Sequence, residues 1–259
     1  MGKRRRAGDP GGFWRQEVGG APMWFLAVAV VAIMGFGVVG VSAMLQKPAI
    51  NTSRPISPAP SFSFVGGGEV AAQMKVAFFG DSYSAGAGAS SSDKRWTTLA
   101  SREFGWVEIN EARGGTGYEA TASTDGCGLD YCPTIAEMIA ASEAEPGVVV
   151  ISGGRNDGAP NADYEELVRA TLHAAVEKWP DAAIVVTSPI WDDDQPPTWF
   201  ADTVLDVQTA VDATVGVQYL DLEDPLLGDA SLLGDDGVHP NDEGYQRIAD
   251  AFIAGWAAR

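Results

Sequence analysis

Histidine and cysteine are scarce in this chain, with two residues of each among 259. Two cysteines without a nearby histidine cannot complete the four-ligand set of a structural zinc site. The sequence also has no cluster of His, Asp or Glu at metal-ligand spacing, so we predict no metal and no cofactor. Any chemistry that needs an imidazole must use His173 or His239.

Basic residues are also few. The chain has 17 Lys and Arg against 35 Asp and Glu, a net charge of −18, and seven of the basic residues lie within the first 68 positions. The remainder therefore has a net charge of −23. So acidic a region repels phosphate backbones, and we expect no nucleic-acid partner. The length and the 46% hydrophobic content suit one domain with an appendage.

Charge is absent altogether from residues 23–45. At 1.5 Å per residue, about 20 apolar residues cross a hydrocarbon core of about 30 Å. Five basic residues precede the segment and two follow it, which predicts a cytoplasmic N-terminus and an exported remainder. We predict a basic cytoplasmic tail over 1–22 and a single-pass membrane anchor over 23–45. The alternative is a signal peptide, cleaved after Val41-Ser42-Ala43 to release a secreted protein.

The rest of the chain divides into a linker and a folded domain. Residues 46–68 are rich in Pro, Ser and Gly, which predicts a flexible tether. In residues 69–259, short apolar runs alternate about five times with segments whose apolar residues have helical spacing. This pattern is typical of a three-layer α/β/α domain with a mainly parallel five-stranded sheet. The predicted strands cover 76–79, 106–109, 148–151, 183–186 and 218–220, and the predicted helices cover 96–104, 133–144, 163–179, 199–214 and 242–258.

The two cysteines, Cys127 and Cys132, lie in a glycine-rich stretch with four residues between them, which is not the redox CxxC spacing. We predict a disulfide, which would stabilise the fold by roughly 2 kcal/mol in the chain-entropy model and requires an oxidising compartment. In a cytosolic protein the alternative is two free thiols.

Polar residues follow three of the predicted strands. Gly80-Asp81-Ser82 follows the first, a glycine-rich loop over 110–117 follows the second, and Gly154 to Asp157 follow the third. Because parallel strands end at the same sheet edge, where ligands bind in such folds, we expect a site there.

Of the two histidines, His239 is the candidate base. It lies in a loop three residues after Asp236, whose carboxylate can bind one ring nitrogen and leave the other to take a proton from a hydroxyl. The alternative is an ordinary turn before a helix. His173 lies on a predicted helix between Arg169 and Glu177, where a solvated face is expected.

These motifs resemble those of the SGNH hydrolases, also called the GDSL esterases, and they occur in that family's order over about residue 75 to the C-terminus. The resemblance implies a flavodoxin-like fold and a serine esterase. The matching segments are Gly80-Asp81-Ser82, Gly115 (or Gly114 in the alternative register), Gly154-Arg155-Asn156-Asp157 and Asp236 to His239.

The resemblance also implies a role for each motif. Ser82 would be the nucleophile, His239 the general base, and Asp236 the group that orients the imidazole. The backbone N–H groups of Ser82 and Gly115 and the side-chain amide of Asn156 would form the oxyanion hole. Two rival classes are disfavoured, because the chain contains neither the G-x-S-x-G elbow of α/β-hydrolases nor a phosphate loop.

Substrate contacts are the least defined part of the site. Trp191 and Trp199 are candidate sugar contacts, with packing as the alternative, and Arg155 is a candidate contact for an anionic substrate. We expect a monomeric, membrane-tethered extracytoplasmic esterase that removes short acyl groups, such as acetyl, from a cell-surface polysaccharide or glycolipid. The alternatives are an acyltransferase that uses the same acyl-enzyme and a non-catalytic binding module on this scaffold.

Overall fold

The computed structural model describes residues 73–259 and, nearer the N-terminus, two short strands, β1 (Glu17–Val18) and β2 (Ala21–Pro22), which pair antiparallel. Apart from these two strands, the predicted tail, membrane anchor and linker over 1–68 lie outside the described residues. Within the described part, no helix is both long and apolar enough to span a bilayer.

The centre of the domain is a five-stranded sheet in which all neighbours are parallel. Its central strands are apolar on both faces, and every residue of 76–80 and 148–152 is buried, as expected for a sheet covered on both sides. The predicted α/β fold with a five-stranded sheet is confirmed. In spatial order the strands are β4 (Val107–Asn110), β3 (Lys75–Gly80), β5 (Val148–Ser152), β6 (Ala183–Thr187) and β7 (Val217–Leu220).

Helices cover both faces of the sheet because alternate strand side chains point to opposite sides. Val76 and Phe78 pack in a core with residues of α2 and α7, whereas Ala77 and Phe79 pack in a second core with residues of α4, α5 and α6. The helices are α1 (Ser82–Ala85), α2 (Trp96–Phe104), α3 (Thr124–Cys127), α4 (Ile135–Ala141), α5 (Tyr164–Lys178), α6 (Phe200–Ala213) and α7 (Asp242–Ala257).

The longer helices begin and end within one residue of their predicted bounds, except α4, which was predicted over 133–144. Thr134 caps α4: its side chain accepts the N–H of Glu137, whose carboxylate accepts the N–H of Thr134 in return. Helices α1 and α3 have four residues each and were not predicted, because so short a segment has no detectable periodicity.

The strand order determines where a ligand can bind. From β3 the chain moves first to the neighbour on one side, β4, and then to the neighbour on the other side, β5. The connections after β3 and β5 therefore diverge at their carboxyl ends, which opens the crevice where ligands bind in such sheets. The segments that begin at Asp81 and Gly153 border this crevice.

Candidate active site

Ser82 is the first residue of α1, immediately after the central strand. Gly80 lets the strand pass close to its neighbour, since a Cβ there would overlap the carbonyl of Ser152. Asp81 then caps the helix by accepting the N–H of Tyr83 at 2.9 Å, and Gly86 ends it with a φ of 89°. This sharp strand-to-helix turn places Ser82 at the crevice with 7% of its surface exposed.

Asp81 is a buried carboxylate beside this serine. Burial raises its pKa from 3.8 to about 6, because the charged form loses its hydration. The N–H of Tyr83 and the charge of Arg155 oppose this effect without cancelling it. The base of the site therefore contains a carboxyl group whose pKa is raised to about 6.

The predicted partners His239 and Asp236 are in contact. Asp236 Oδ2 lies 2.6 Å from His239 Nδ1, and Oδ1 accepts the backbone N–H groups of Val238 and His239 at 3.0 and 2.9 Å. The His239 ring and these N–H groups hold the pKa of Asp236 well below its usual range. One carboxylate thus shapes the turn and binds Nδ1, which leaves Nε2 free for another partner.

The histidine loop is docked on the segment that contains Ser82. Tyr83 donates its hydroxyl to the carbonyl of Val238 at 2.6 Å, and the rings of Tyr83 and His239 lie 6.1 Å apart. Gly88 also lies against this loop, since a Cβ there would be 3.0 Å from the Cβ of His239. Within residues 73–259 Ser82 Oγ forms no hydrogen bond with His239. The contacts of Tyr83 and Gly88 nevertheless place the histidine loop against the segment that contains Ser82.

Gly115 and Asn156 lie at the same sheet edge, after β4 and β5. Asn156 donates its side-chain amide to the carbonyl of Thr116 at 2.9 Å, which ties the two loops together. Gly115 has a φ of 73°, a conformation that glycine adopts without strain. Arg113 donates its N–H to the carbonyl of Gly80 at 2.9 Å, so this loop is also joined to the end of β3.

Asp157 is a residue whose importance the sequence did not reveal. It accepts the backbone N–H groups of residues 118, 119 and 120 at 3.1, 2.9 and 2.7 Å, and the hydroxyl of Tyr164 at 2.8 Å. Its carboxylate thereby fixes the chain that follows Gly115 and Thr116. The only sequence signal was its position next to Asn156, which says nothing of these partners.

The three predicted substrate contacts form a cluster. Arg155 pairs with Asp192 at 2.6 Å, with only 11% of each side chain exposed, and its guanidinium lies 4.3 Å from the centre of the Trp191 ring. Tyr83 contacts the same guanidinium at 5.1 Å, and Trp199 packs edge-on against Trp191. Asp192 therefore balances the charge of Arg155, and the two tryptophans, both half-buried, form an aromatic wall.

Cys127 and Cys132 are bonded to each other, which confirms the predicted disulfide. Among the residues that the structure describes, no group of three or more His, Cys, Asp or Glu is arranged to hold a metal ion.

Comparison with known protein sequences shows which family the chain resembles. A model of the GDSL-like lipase/acylhydrolase family matches residues 78–247. A GDSL lipase of Mycobacterium tuberculosis is 31% identical over 188 residues, which cover 68% of this chain and 78% of that protein. An acetylxylan esterase of Xylanibacter ruminicola is 28% identical over 140 residues, 42% of this chain but only 28% of that longer protein.

A solved structure shares the fold at low sequence identity. A family two carbohydrate esterase from Clostridium thermocellum, in complex with cellohexaose, superposes with a TM-score of 0.55 and 19% identity. The match covers 70% of this chain and 62% of that one.

Proposed function

Since the chain belongs to the GDSL-like lipase/acylhydrolase family and is a carboxylic ester hydrolase, we propose that Ser82, His239 and Asp236 form its catalytic triad. The observation that carries this proposal is the docking of the histidine loop on the serine segment. Asp236 binds Nδ1 of His239, and the hydrogen bond from Tyr83 to Val238 holds the loop beside Ser82. The remaining ring nitrogen is then the group available to accept the serine proton.

In this mechanism the Ser82 hydroxyl attacks the ester carbonyl while His239 Nε2 takes its proton. His239 then returns the proton to the departing alcohol, and a water molecule repeats the sequence to hydrolyse the acyl-enzyme. The backbone N–H groups of Ser82 and Gly115 and the amide of Asn156 would bind the oxyanion. An amide NH₂ has two donors, so Asn156 keeps one for the substrate while the other binds Thr116.

We further propose that the substrate is a short acyl ester, such as acetyl, on a carbohydrate. The similarity to an acetylxylan esterase supports the acyl group, and the fold similarity to a carbohydrate esterase supports the sugar. The half-buried pair Trp191 and Trp199, which Arg155 links to Tyr83, the residue after Ser82, offers aromatic surface on which a sugar ring could stack.

Extracytoplasmic, membrane-tethered location is likewise a proposal. The uncharged stretch over 23–45 and the basic residues before it support an anchor with a cytoplasmic N-terminus. The disulfide fits an oxidising compartment. Membrane fractionation and N-terminal sequencing of the expressed chain test this: an intact N-terminus in the membrane fraction is expected, and a soluble chain that begins after residue 43 would instead indicate cleavage and secretion.

The triad is tested with the full-length chain in a mild non-ionic detergent. Ser82→Ala and His239→Ala should each lower the kcat for 4-nitrophenyl acetate by about 10³-fold or more. Ser92→Ala, at an exposed serine, and His173→Ala, at the other histidine, are the matched controls and should keep full activity. A fluorophosphonate probe should label the wild-type chain at Ser82. A Ser82→Ala chain with wild-type turnover would refute the assignment.

The same assay separates the other candidate functions. Absence of turnover and of labelling in the wild type would indicate a binding module. Acyl transfer to an added oligosaccharide that outpaces hydrolysis would indicate a transferase. Equal turnover of acetyl and long-chain nitrophenyl esters would contradict the short-acyl proposal.

A further inference from the structure

The loop closed by the disulfide packs directly on the candidate oxyanion loop. We call residues 122–132 the disulfide loop. A Cβ on Gly114 would overlap the carbonyl oxygen of Gly126 in this loop. A Cβ on Gly115 would lie 3.0 Å from the Cβ of Ala122 and 3.3 Å from the Cα of Gly126. The two segments thus meet through their backbones and the methyl group of Ala122, which has no flexible side chain that could absorb a displacement.

Apart from the disulfide, the disulfide loop is held by a backbone pair at its base and by a hydrogen bond from the Tyr131 hydroxyl to the carboxylate of Glu137 in α4 at 2.8 Å. Helix α3 has four residues and buries none of them, so it contributes little packing of its own. The loop is closed at its base by the hydrogen-bonded pair Ala122 and Cys132, whose N–H···O distances are 3.0 and 2.8 Å. The disulfide then joins Cys132, which is fully buried, to Cys127 at the end of α3. Because Gly126 directly precedes Cys127, the disulfide also restrains the contact between Gly126 and Gly115.

The backbone of Gly115 is held in its conformation by contacts with other segments. Glycine adopts positive and negative φ about equally well, so its own conformation does not aim its N–H group. On one side, the bond from Asn156 to Thr116 and the bonds of Asp157 to residues 118–120 hold the following chain. On the other side, Arg113 donates its N–H to the carbonyl of Gly80 and its own carbonyl accepts the Thr116 hydroxyl at 2.8 Å, while Gly126 packs directly against residues 114 and 115.

We propose that Gly126 and the Cys127–Cys132 disulfide are positioning residues that hold the N–H of Gly115 in place for oxyanion binding. This inference rests on the proposed function. The disulfide then acts on turnover and not only on stability. Losing one oxyanion donor costs about 10²- to 10³-fold in kcat, and a displacement of a few tenths of an ångström should cost part of that, roughly 10-fold.

Two variants perturb this contact in different ways. Cys127→Ala/Cys132→Ala removes the covalent bond. Gly126→Ala keeps the bond but adds a Cβ that would lie 3.0 Å from the Cβ of Ala122, so Ala122, which also lies against Gly115, must give way by a few tenths of an ångström. Leu129→Ala is the matched control, because this side chain lies inside the same disulfide ring but is 53% exposed.

The measurements use the full-length chain, with the concentration of active sites counted by fluorophosphonate labelling so that loss of folded protein does not lower kcat. We expect both variants to lose about 10-fold in kcat for 4-nitrophenyl acetate while KM changes by less than about twofold. The inhibition constant of a short trifluoromethyl ketone, which forms a tetrahedral adduct with the serine, should rise by the same factor. Leu129→Ala should match the wild type in all three values.

Wild-type kcat in both variants would overturn the inference. So would a rise in KM with kcat unchanged, because the loop would then contact the substrate and not position the donor. Ser82→Ala serves as a separate reference. If it is inactive while the loop variants have normal kcat, only this inference fails, whereas wild-type turnover in Ser82→Ala would refute the proposed function and this inference together.

Discussion

Asp81 offers a direct test of how burial affects this site. The carboxyl group is 5% exposed, and burial raises its pKa from 3.8 to about 6 in the folded chain. In the unfolded chain it keeps its ordinary value, so between these two pH values the folded state binds a proton that the unfolded state has released. Stability must therefore fall as the pH rises through this range. Above about pH 7 the folded protein bears nearly the full cost of a buried charge.

The size of this effect follows from the two pKa values. A pKa difference of one unit between the folded and unfolded chain is worth about 1.4 kcal/mol of folding free energy. The buried Asp81 charge therefore lowers the stability by about 3 kcal/mol above pH 7 but only by about 1 kcal/mol at pH 4.5. Asp81→Asn removes the charge and keeps a side-chain oxygen that can accept the N–H of Tyr83. We expect it to raise the free energy of unfolding by about 2 kcal/mol more at pH 8 than at pH 4.5.

The assay is urea unfolding of the full-length chain, followed by tryptophan fluorescence at both pH values. Asp163→Asn is the matched control, because Asp163 is exposed and its side chain makes no capping hydrogen bond. Its effect should be the same at both pH values. If the effect of Asp81→Asn on unfolding were also independent of pH, the carboxyl group would not have a raised pKa and the reasoning would be wrong.

Three further variants test the supports of the site. Asp157→Ala should lower the free energy of unfolding by about 3 kcal/mol in urea titrations, because it strands backbone N–H groups that now bind a carboxylate; a change below about 0.5 kcal/mol would contradict this. Asp236→Asn should lower kcat by about 10³-fold without unfolding the chain, as circular dichroism would show, and unchanged kcat would remove Asp236 from the mechanism. Asn241→Ala should cost about 1 to 2 kcal/mol of stability, because its side chain caps α7 by accepting two N–H groups; an unaltered urea midpoint would refute this.

The sheet and the larger helices could be predicted because each depends on a local pattern. The strand Val148–Ser152 contains a continuous apolar run over 148–151, and α5 and α7 have strong helical spacing, so their bounds were found to within one residue. The disulfide was also predictable, since it joins the only two cysteines.

Contacts between distant parts of the chain could not be predicted in this way. The hydroxyl of Tyr83 binds the carbonyl of Val238, 155 residues away, and no pattern in either segment indicates this bond. The pairing of Arg155 with Asp192 depends on how the chain returns after β6. The motifs predicted which residues serve the candidate site, but the groups that orient them became evident only from the packed structure.

The ion pair between Arg155 and Asp192 limits how this enzyme can be retargeted. The aromatic segment after β6, from residue 190 to 199, could be replaced to change the preferred carbohydrate, because it lies apart from the serine and histidine loops in sequence. A graft without an acid at 192 would strand a guanidinium with little access to water, and such an uncompensated charge costs several kcal/mol. Exchangeable segments must therefore bring their own counterion or be combined with a neutral residue at position 155.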